Sequence, residues 1–544
     1  MGVSSVLFQM LSYLGSFPFG QEAPVILGHE QMIMVIVILT ERYKRVLKKG
    51  HRDRTKLFFR SLAVYDRKQS TDERTIEACS SQAPETPLQR HPAAFAVDQV
   101  GEDDEEDDDD LALAALEALD AIEVFKLGDA PISQASIPPD NLKKLIMLLL
   151  LIAPLDNQQS LAHLKLSRQS EGSEVTAPES DRISGEQLDG LRKTADNILA
   201  AFVNVEKTPG IKFHQFSTVI PVSLPFLFAG FSNLFEHFLF SKHLNFTKHK
   251  DQTAPKPVLV DPQQPLLPDA GNILDLNVLS QLSFFLPGSL LFRRLRLLYS
   301  GGDAGFSMGS FETRVFNWRA PTILLVSGNR ISAPPSGGQE RAFSDTLPPK
   351  KFPDSSKCSH VVFGAYITQP WRQTHKECFG DSECILFQLE PVHEVFHATS
   401  NAEYISFTKS PSAHPGISFG CPHPKPKTVS HVPHASLGAV SLMLDSSFEF
   451  GVFTHAFTSG GGAFHTSETR RSDFQDRFEI EDLEVWGCGG DAEAEQQRQR
   501  FEWEEREAEA RRRINIGKGD IEADRALLEM AGVIGGNRSG GSMN

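Results

Sequence analysis

From Leu279 to Cys488 the chain is a series of short apolar runs separated by Gly, Pro and Ser. After Pro321, the residues Ile323, Leu324, Leu325 and Val326 form a continuous apolar run, short enough for a strand buried on both faces. In VVFGAYI, Val361, Phe363, Ala365 and Ile367 share one face, and Val362, Gly364 and Tyr366 share the other. Ile385, Phe387 and Leu389 point away from Gln388 and Glu390. Leu442 and Leu444 alternate in the same way ahead of FEFGVF. Phe478 and Ile480 keep period two, and Leu483 and Val485 resume it one residue out of step, which predicts a bulge at Asp482. Together these runs predict two packed antiparallel sheets.

Helical spacing interrupts the strands twice. Met308, Phe311, Val315 and Trp318 recur on one helix face after Ser307, which fits an N-cap. Leu291, Leu295 and Leu298 predict a second stripe, separated by Pro287 and Gly288 from an earlier one at Leu276, Leu279 and Leu282.

Ahead of this region the pattern is helical. Leu111–Leu127 is Ala- and Leu-rich without a breaker, and Asn141–Ile152 is apolar enough for a buried core helix. Ser184 and Gln187 form a capping-box pattern before Leu188, Leu191, Ala195, Ile198 and Phe202. Phe228, Phe231, Phe235 and Phe238 then fall on one stripe, a spacing that belongs to a core. The expected class is α+β: a two-sheet antiparallel β-sandwich with flanking helices, preceded by a helical domain and disordered linkers.

The expected division is an N-terminal segment over 1–65, a disordered acidic linker over 66–110 and a helical domain over 111–245. A Pro-rich linker over 246–274 leads into the sheet domain over 275–490. A helical tail over 491–535 and a disordered end over 536–544 follow. In the tail, acids come early and Arg511, Arg512 and Arg513 late, which matches the helix dipole. Phe501 and Trp503 are its rare apolar anchors, and Trp503 is a candidate partner contact.

Charge narrows the choice of partners. The formal net charge of −16 includes nine consecutive acids at 102–110, so the rest carries −16 + 9 = −7. A mildly acidic body is not a nucleic-acid binder by bulk charge. Six cysteines in 544 residues, without regular spacing, suit a reducing compartment. The apolar run Met32–Leu39 is shorter than the roughly 20 residues a membrane span needs. A cytoplasmic protein, or one peripheral on a membrane, is expected.

Gly2 after Met1 is a lipidation candidate, although the motif's Ser or Thr at position six is Val6 here. Basic residues between Lys44 and Arg60 would supply a second weak membrane contact. His393-Glu394-Val395-Phe396-His397 satisfies H-E-x-x-H, whose chemistry needs a helix presenting both imidazoles to one metal. Here the motif follows Pro391, and Val395 and Phe396 favour extended chain, so a metal-dependent hydrolase using His393, Glu394 and His397 is the alternative reading. His375, Cys378 and Cys384 lack the close C-x-x-C pairs of zinc sites. No constellation reads as catalytic, and no cofactor is implied.

Taken in order, LSFFLPGSLLFRRLRLLYSGGDAGFSMGSFETRVFNWRAPTILLVSG, VVFGAYITQPWRQTHKECFGDSECILFQLEP, SLGAVSLMLDSSFEFGVFTH and FEIEDLEVWGCGG resemble the TLDc domain, in the form found in the fungal restriction of telomere capping protein 5 family. Gly364, Tyr366, Pro370, Trp371, Gly380 and Glu383 match F-G-A-Y…P-W…G…E-C, with Ser382 where the family has Gly. Glu484, Val485, Trp486 and Gly487 match its E-V-W-G end. The resemblance covers residues 275–535 and leaves 1–140 unmatched. It implies a non-enzymatic interaction domain, associated with resistance to oxidative stress. It also implies a partner: subunits of the vacuolar proton-pumping ATPase, whose assembly such proteins affect, on or near the vacuolar membrane. The telomere-capping name implies no DNA contact.

Overall fold

The computed structural model describes residues 2–16, 27–45, 51–65, 135–155, 185–202, 210–240 and, with short gaps, 266–489, together with scattered positions between 492 and 507. The expected helix at 111–127 and linker at 66–110 lie outside the described residues, as do residues 156–182, whose composition also reads as linker, and Ser184 and His375.

Residues 1–65 are not a segment apart. Three helices, α1 (Ser4–Gly15), α2 (His29–Leu39) and α3 (His51–Leu62), are followed by β1 (Val64–Tyr65) and β2 (Ala135–Ile137). Then come α4 (Pro139–Ile152), α5 (Gly185–Leu199), β3 (Ile211–Lys212), α6 (Phe213–Ser223) and α7 (Gly230–Phe240). Val6, Met10 and Leu14 of α1 recur every four residues and enter one core with Phe58, Phe59, Leu145, Ile198, Phe216 and Phe231. Arg54 of the basic stretch is drawn into this packing: it pairs with Glu41 and lies 4.7 Å over the Phe58 ring. Burial lowers its pKa to about 10. It is a packed residue, not part of a membrane-facing cationic patch. On α7, Phe231 and Phe235 are buried, but Phe238 is 51% exposed and leaves the stripe.

The second part begins with α8 (Leu276–Leu282) and α9 (Gly288–Leu291), then β4 (Leu295–Ser300), α10 (Gly301–Ala304) and α11 (Met308–Val315). Ser307 caps α11 by accepting from Ser310 N at 3.1 Å. The predicted helical stripe at Leu291, Leu295 and Leu298 is half wrong, because Leu295–Ser300 is a strand. A register shift against the closing strand leaves Leu298 unpaired in the ladder, and Leu298 and Tyr299 both enter the inner core. Leu295 and Leu298, at helical spacing, are thus also compatible with a bulged strand buried on both sides.

The remaining elements are β5 (Thr322–Arg330), α12 (Gly338–Thr346), β6 (His360–Ile367), β7 (Ile385–Glu390), β8 (Glu394–His397), β9 (Ile405–Thr408), β10 (Gly416–Phe419), β11 (Val440–Asp445), β12 (Phe450–His455) and β13 (Phe474–Cys488). All described pairings are antiparallel, in the order β8-β7-β6-β5-β13-β12-β11-β10-β9, with β4 also on β13. The two layers are one continuous ten-stranded sheet folded over, with no closed barrel. Phe363 of β6 and Phe453 of β12 are not on neighbouring strands, yet their rings stack at 4.4 Å.

Strand β13 makes the fold-over. Its early part pairs with β12, its later part with β4, and β5 lies along the opposite edge. The register slips between Ile480 and Asp482, so the extra residue is Glu481, one position before the predicted bulge at Asp482. That slip keeps Phe478, Ile480, Leu483 and Val485 all in the inner core, while Trp486 joins a second apolar cluster on the outer face.

Candidate functional site

The residues that sequence marks as special fall into a domain-closing lock, a joint between the two parts, and an exposed tail. The lock is the E-V-W-G end. Glu484 is 1% exposed and its carboxylate accepts from the backbone N–H of Asn272, from Ile273 N at 2.9 Å and from Leu274 N at 3.2 Å. It also accepts from Trp486 Nε1 at 2.9 Å. One side chain therefore ties the entry loop of the second part to its last strand and orients a fully buried indole. Gly487 lies under Trp318: a Cβ there would stand 2.5 Å from the indole, so the close approach needs glycine.

The F-G-A-Y and P-W residues are likewise placed by packing. A Cβ on Gly364 would meet the Phe387 ring at 2.5 Å, and Tyr366 lies in the outer cluster. Trp371 is 1% exposed, donates from Nε1 to Thr322 Oγ1 at 2.9 Å, and meets Phe311 edge-on at 5.0 Å. Glu383 differs from these: it is exposed on the turn before β7, where its N–H donates to Asp381. Burial pushes the Cys384 thiol up, the opposite of an activated thiol.

The joint is made by the H-E-x-x-H residues. Glu394–His397 is strand β8 at one end of the sheet order, not a helix. In extended chain, His393 and His397 fall on one face. That face meets the end of α6, whose last carbonyls have no partner within the helix. His393 Nε2 donates to Ser223 O at 3.0 Å, and His397 Nε2 donates to Val222 O at 3.1 Å. Gln281 Nε2 donates to His393 Nδ1 at 3.1 Å, and the His393 N–H donates to Asn197 O at 2.9 Å. Both ring nitrogens of His393 are therefore in use, and burial lowers its pKa to about 4, which keeps the imidazole neutral. This geometry corrects the metal-dependent hydrolase reading: the motif lies on a strand and its imidazoles hold backbone carbonyls.

Glu394 faces the other way, into the fold. It is 3% exposed, 3.9 Å from Arg470 Nη1, and burial raises its pKa. A general base beside a metal-bound water would have to sit with the two imidazoles; this carboxylate is on the opposite face of the strand from both. Around the joint, Lys193 of α5 pairs with Glu390 at 2.8 Å, and His360 Nδ1 lies 2.9 Å from the same carboxylate. Burial pushes the Glu390 pKa up, but the bonds and charges of His360 and Lys193 outweigh it and leave the carboxyl below its ordinary range. Phe284, which belongs by chain position to the second part, is buried in the helical core, and Phe226 N donates to Phe284 O at 2.9 Å. Gln281, Lys193 and Ser223 carry no sequence motif, and nothing local marks them as partners of His393 and Glu390.

Two candidates lie at the ends. Gly2 is exposed just ahead of α1. Trp503 has helical backbone and is 56% exposed, the most exposed of the large apolar residues described. Among the described residues, no group of three or more His, Cys, Asp or Glu is placed to hold a metal ion, and no helix is long and apolar enough to cross a membrane.

A folded-over antiparallel sheet, closed by Glu484 and Trp486 and flanked by short helices, defines a TLDc-domain protein, and residues 267–489 match the TLDc domain family. The chain is 58% identical over 555 aligned residues to a restriction of telomere capping protein 5 of Fusarium vanettenii, covering 100% of this chain and 88% of that protein. Its counterpart in Colletotrichum graminicola is 57% identical, over 99% and 88% of the two chains, and that in Neurospora crassa is 51% identical, over 100% and 88%. The chain belongs to the restriction of telomere capping protein 5 family. These alignments run through residues 1–140 as well, so the N-terminal helices are part of what the family shares.

Proposed function

We propose that this protein is a non-enzymatic regulator that docks on subunits of the vacuolar proton-pumping ATPase and affects assembly of its peripheral sector, within the family's connection to oxidative stress. The observation that carries this reading is Trp503, a large aromatic left 56% exposed in the charged stretch of sequence beyond the TLDc domain. A buried aromatic anchor is the commonest energetic centre of a protein interface. The family's marked residues inside the domain are engaged in packing, apart from exposed Glu383, and the imidazoles of the H-E-x-x-H motif are engaged in the joint. Such a regulator must bind one assembly state better than another, since equal affinity shifts nothing. The protein works in the cytoplasm, with weak peripheral contact at the vacuolar membrane supplied by acylation of exposed Gly2.

The test is affinity purification of the full chain from fungal cells, read for ATPase subunits, beside a Trp503→Ala variant. Recovery of peripheral-sector subunits with the wild type, and at least several-fold less with the variant, supports the reading. Their absence from the wild-type sample overturns it.

A further inference from the structure

Glu394 and Gln388 stand directly opposite each other on β8 and β7, so their side chains share a face of the sheet. Both are buried, at 3% and 0% exposed. Gln388 Nε2 donates to Glu390 O at 3.1 Å, which fixes the amide, yet its Oε1 has no hydrogen-bond partner. Neither carboxylate oxygen of Glu394 has one. Three buried acceptor oxygens on facing residues therefore lack a donor. The charged groups around them do not supply it. Arg470, from the loop before β13, comes within 3.9 Å of Glu394, but its Nη1 makes no hydrogen bond. The rest of that guanidinium is engaged elsewhere: Nη2 donates to Ser355 O, and the group lies 4.4 Å over the Phe474 ring. Asp476 of β13 is paired by Arg330 of β5 at 2.9 Å. His455 of β12 accepts from Ser467 N at 3.0 Å, and burial lowers its pKa, so it adds no charge.

We propose that Glu394 keeps its proton in the folded protein and donates it to Gln388 Oε1, a shared proton that pins β8 to β7 behind the joint and makes docking of the helical part depend on pH. An ionised carboxylate buried without a donor is costly, whereas the neutral acid brings the donor that Gln388 lacks. Burial raises the Glu394 pKa against the opposing pull of Arg470 and Ser467, in agreement with that arrangement. On the other face of the same strand, His393 holds Ser223 O. Loss of the proton leaves a donorless charge under β8, which favours states in which the strand opens and the imidazoles let go. Stability from this residue is full below the ordinary carboxyl pKa and is lost as pH rises through the raised folded value. His393 acts in the opposite sense, destabilising as pH falls, so two neutral side chains hold β8 from its two faces.

Infrared difference spectroscopy of the full-length protein at pH 7, wild type against Glu394→Gln, reads the proton directly. The expected difference is a protonated-carboxyl C=O band that is present in the wild type, displaced by isotope-labelled glutamate and absent from the variant. Chemical denaturation of both proteins between pH 5 and pH 8 gives a second readout. The ratio of the wild-type to the variant unfolding constant should rise at least tenfold over that range, by up to about tenfold per pH unit while Glu394 stays protonated in the fold. His393 titrates alike in both proteins and drops out of the ratio. Hydrogen exchange, corrected for the intrinsic rate, should show β8 and the end of α6 opening more often as pH rises in the wild type only. If Glu394→Gln does not fold, Gln388→Met, which removes the acceptor and keeps the shape, should shift the labelled band to that of an acid without a strong acceptor. No labelled band in the wild type at pH 7, a band that persists in Glu394→Gln or stays unshifted in Gln388→Met, a pH-independent ratio, or exchange that follows pH alike in both proteins overturns the proposal.

Discussion

His393 and Ser223 are 170 positions apart in sequence and joined by a 3.0 Å hydrogen bond from the imidazole Nε2 to the last carbonyl of α6. The bond lies where the helical part meets the sheet, and His397 repeats it one carbonyl earlier. Because the Gln281 amide occupies Nδ1, the ring fits the joint only as the neutral tautomer with its proton on Nε2.

The joint makes stability depend on pH. The folded-state pKa of His393 is lowered from 6.5 to about 4 by burial, so between those values the unfolded chain binds the extra proton. Stability is unaffected by this residue above pH 6.5 and declines as pH falls towards 4, by up to roughly 3 kcal/mol. Chemical denaturation of the wild type and of His393→Gln from pH 7 to pH 4 should show the wild type losing that much more than the variant. Parallel pH curves would place the titrating penalty elsewhere.

Removing the carboxylate of Glu484 should open the lock. Glu484→Ala strands the N–H groups of Asn272, Ile273 and Leu274 and the Trp486 indole, at a cost of roughly 3–5 kcal/mol. Trp486→Ala, which empties a fully buried site, costs roughly 3–5 kcal/mol as well. The two residues share one hydrogen bond, so the double variant loses less than the sum. Urea denaturation of the three variants measures this. Full additivity would mean that the bond contributes nothing.

Gly487→Ala should destabilise by roughly 1–3 kcal/mol through the clash with Trp318 alone. Trp318→Leu in the same chain should make the added methyl group nearly neutral. A double variant that shows the full cost of both substitutions would mean that the clash is relieved by backbone movement and is not the source of the loss.

Much of the second part was legible because its strands alternate between an inner core and an outer apolar cluster. Val361–Ile367 and Ile385–Glu390 needed only period two, and Ser307 capped its helix with a local hydrogen bond. Reading failed where a bulge broke the period: Leu298 mimicked a helix stripe, and the extra residue in β13 was off by one. α1 shows another limit. Val6, Met10 and Leu14 hold a helical period, but they form a core only against helices far along the chain. The joint was the least legible, because H-E-x-x-H has the same spacing on a strand as on a helix. Its real partners, Val222, Ser223 and Gln281, contribute backbone carbonyls and one amide that no motif records.

The tail should separate binding from folding. Trp503 is more than half exposed, so Trp503→Ala should change stability by no more than about 0.5 kcal/mol. Deleting residues 492–544 should leave the TLDc domain folded by circular dichroism while weakening ATPase association. A truncated protein that fails to fold would make the tail structural, and one that binds equally well would make it idle.

Metal content and melting temperature, measured together on the purified full chain and on His393→Ala, test the central claim that the histidine pair is a joint. The account predicts the same metal content in both proteins, together with a melting temperature several degrees lower in the variant. The lower melting follows because Ser223 O and the Gln281 amide lose a buried partner, at roughly 1–3 kcal/mol each. One equivalent of zinc in the wild type that disappears in His393→Ala, with unchanged melting of the metal-free proteins, would contradict it.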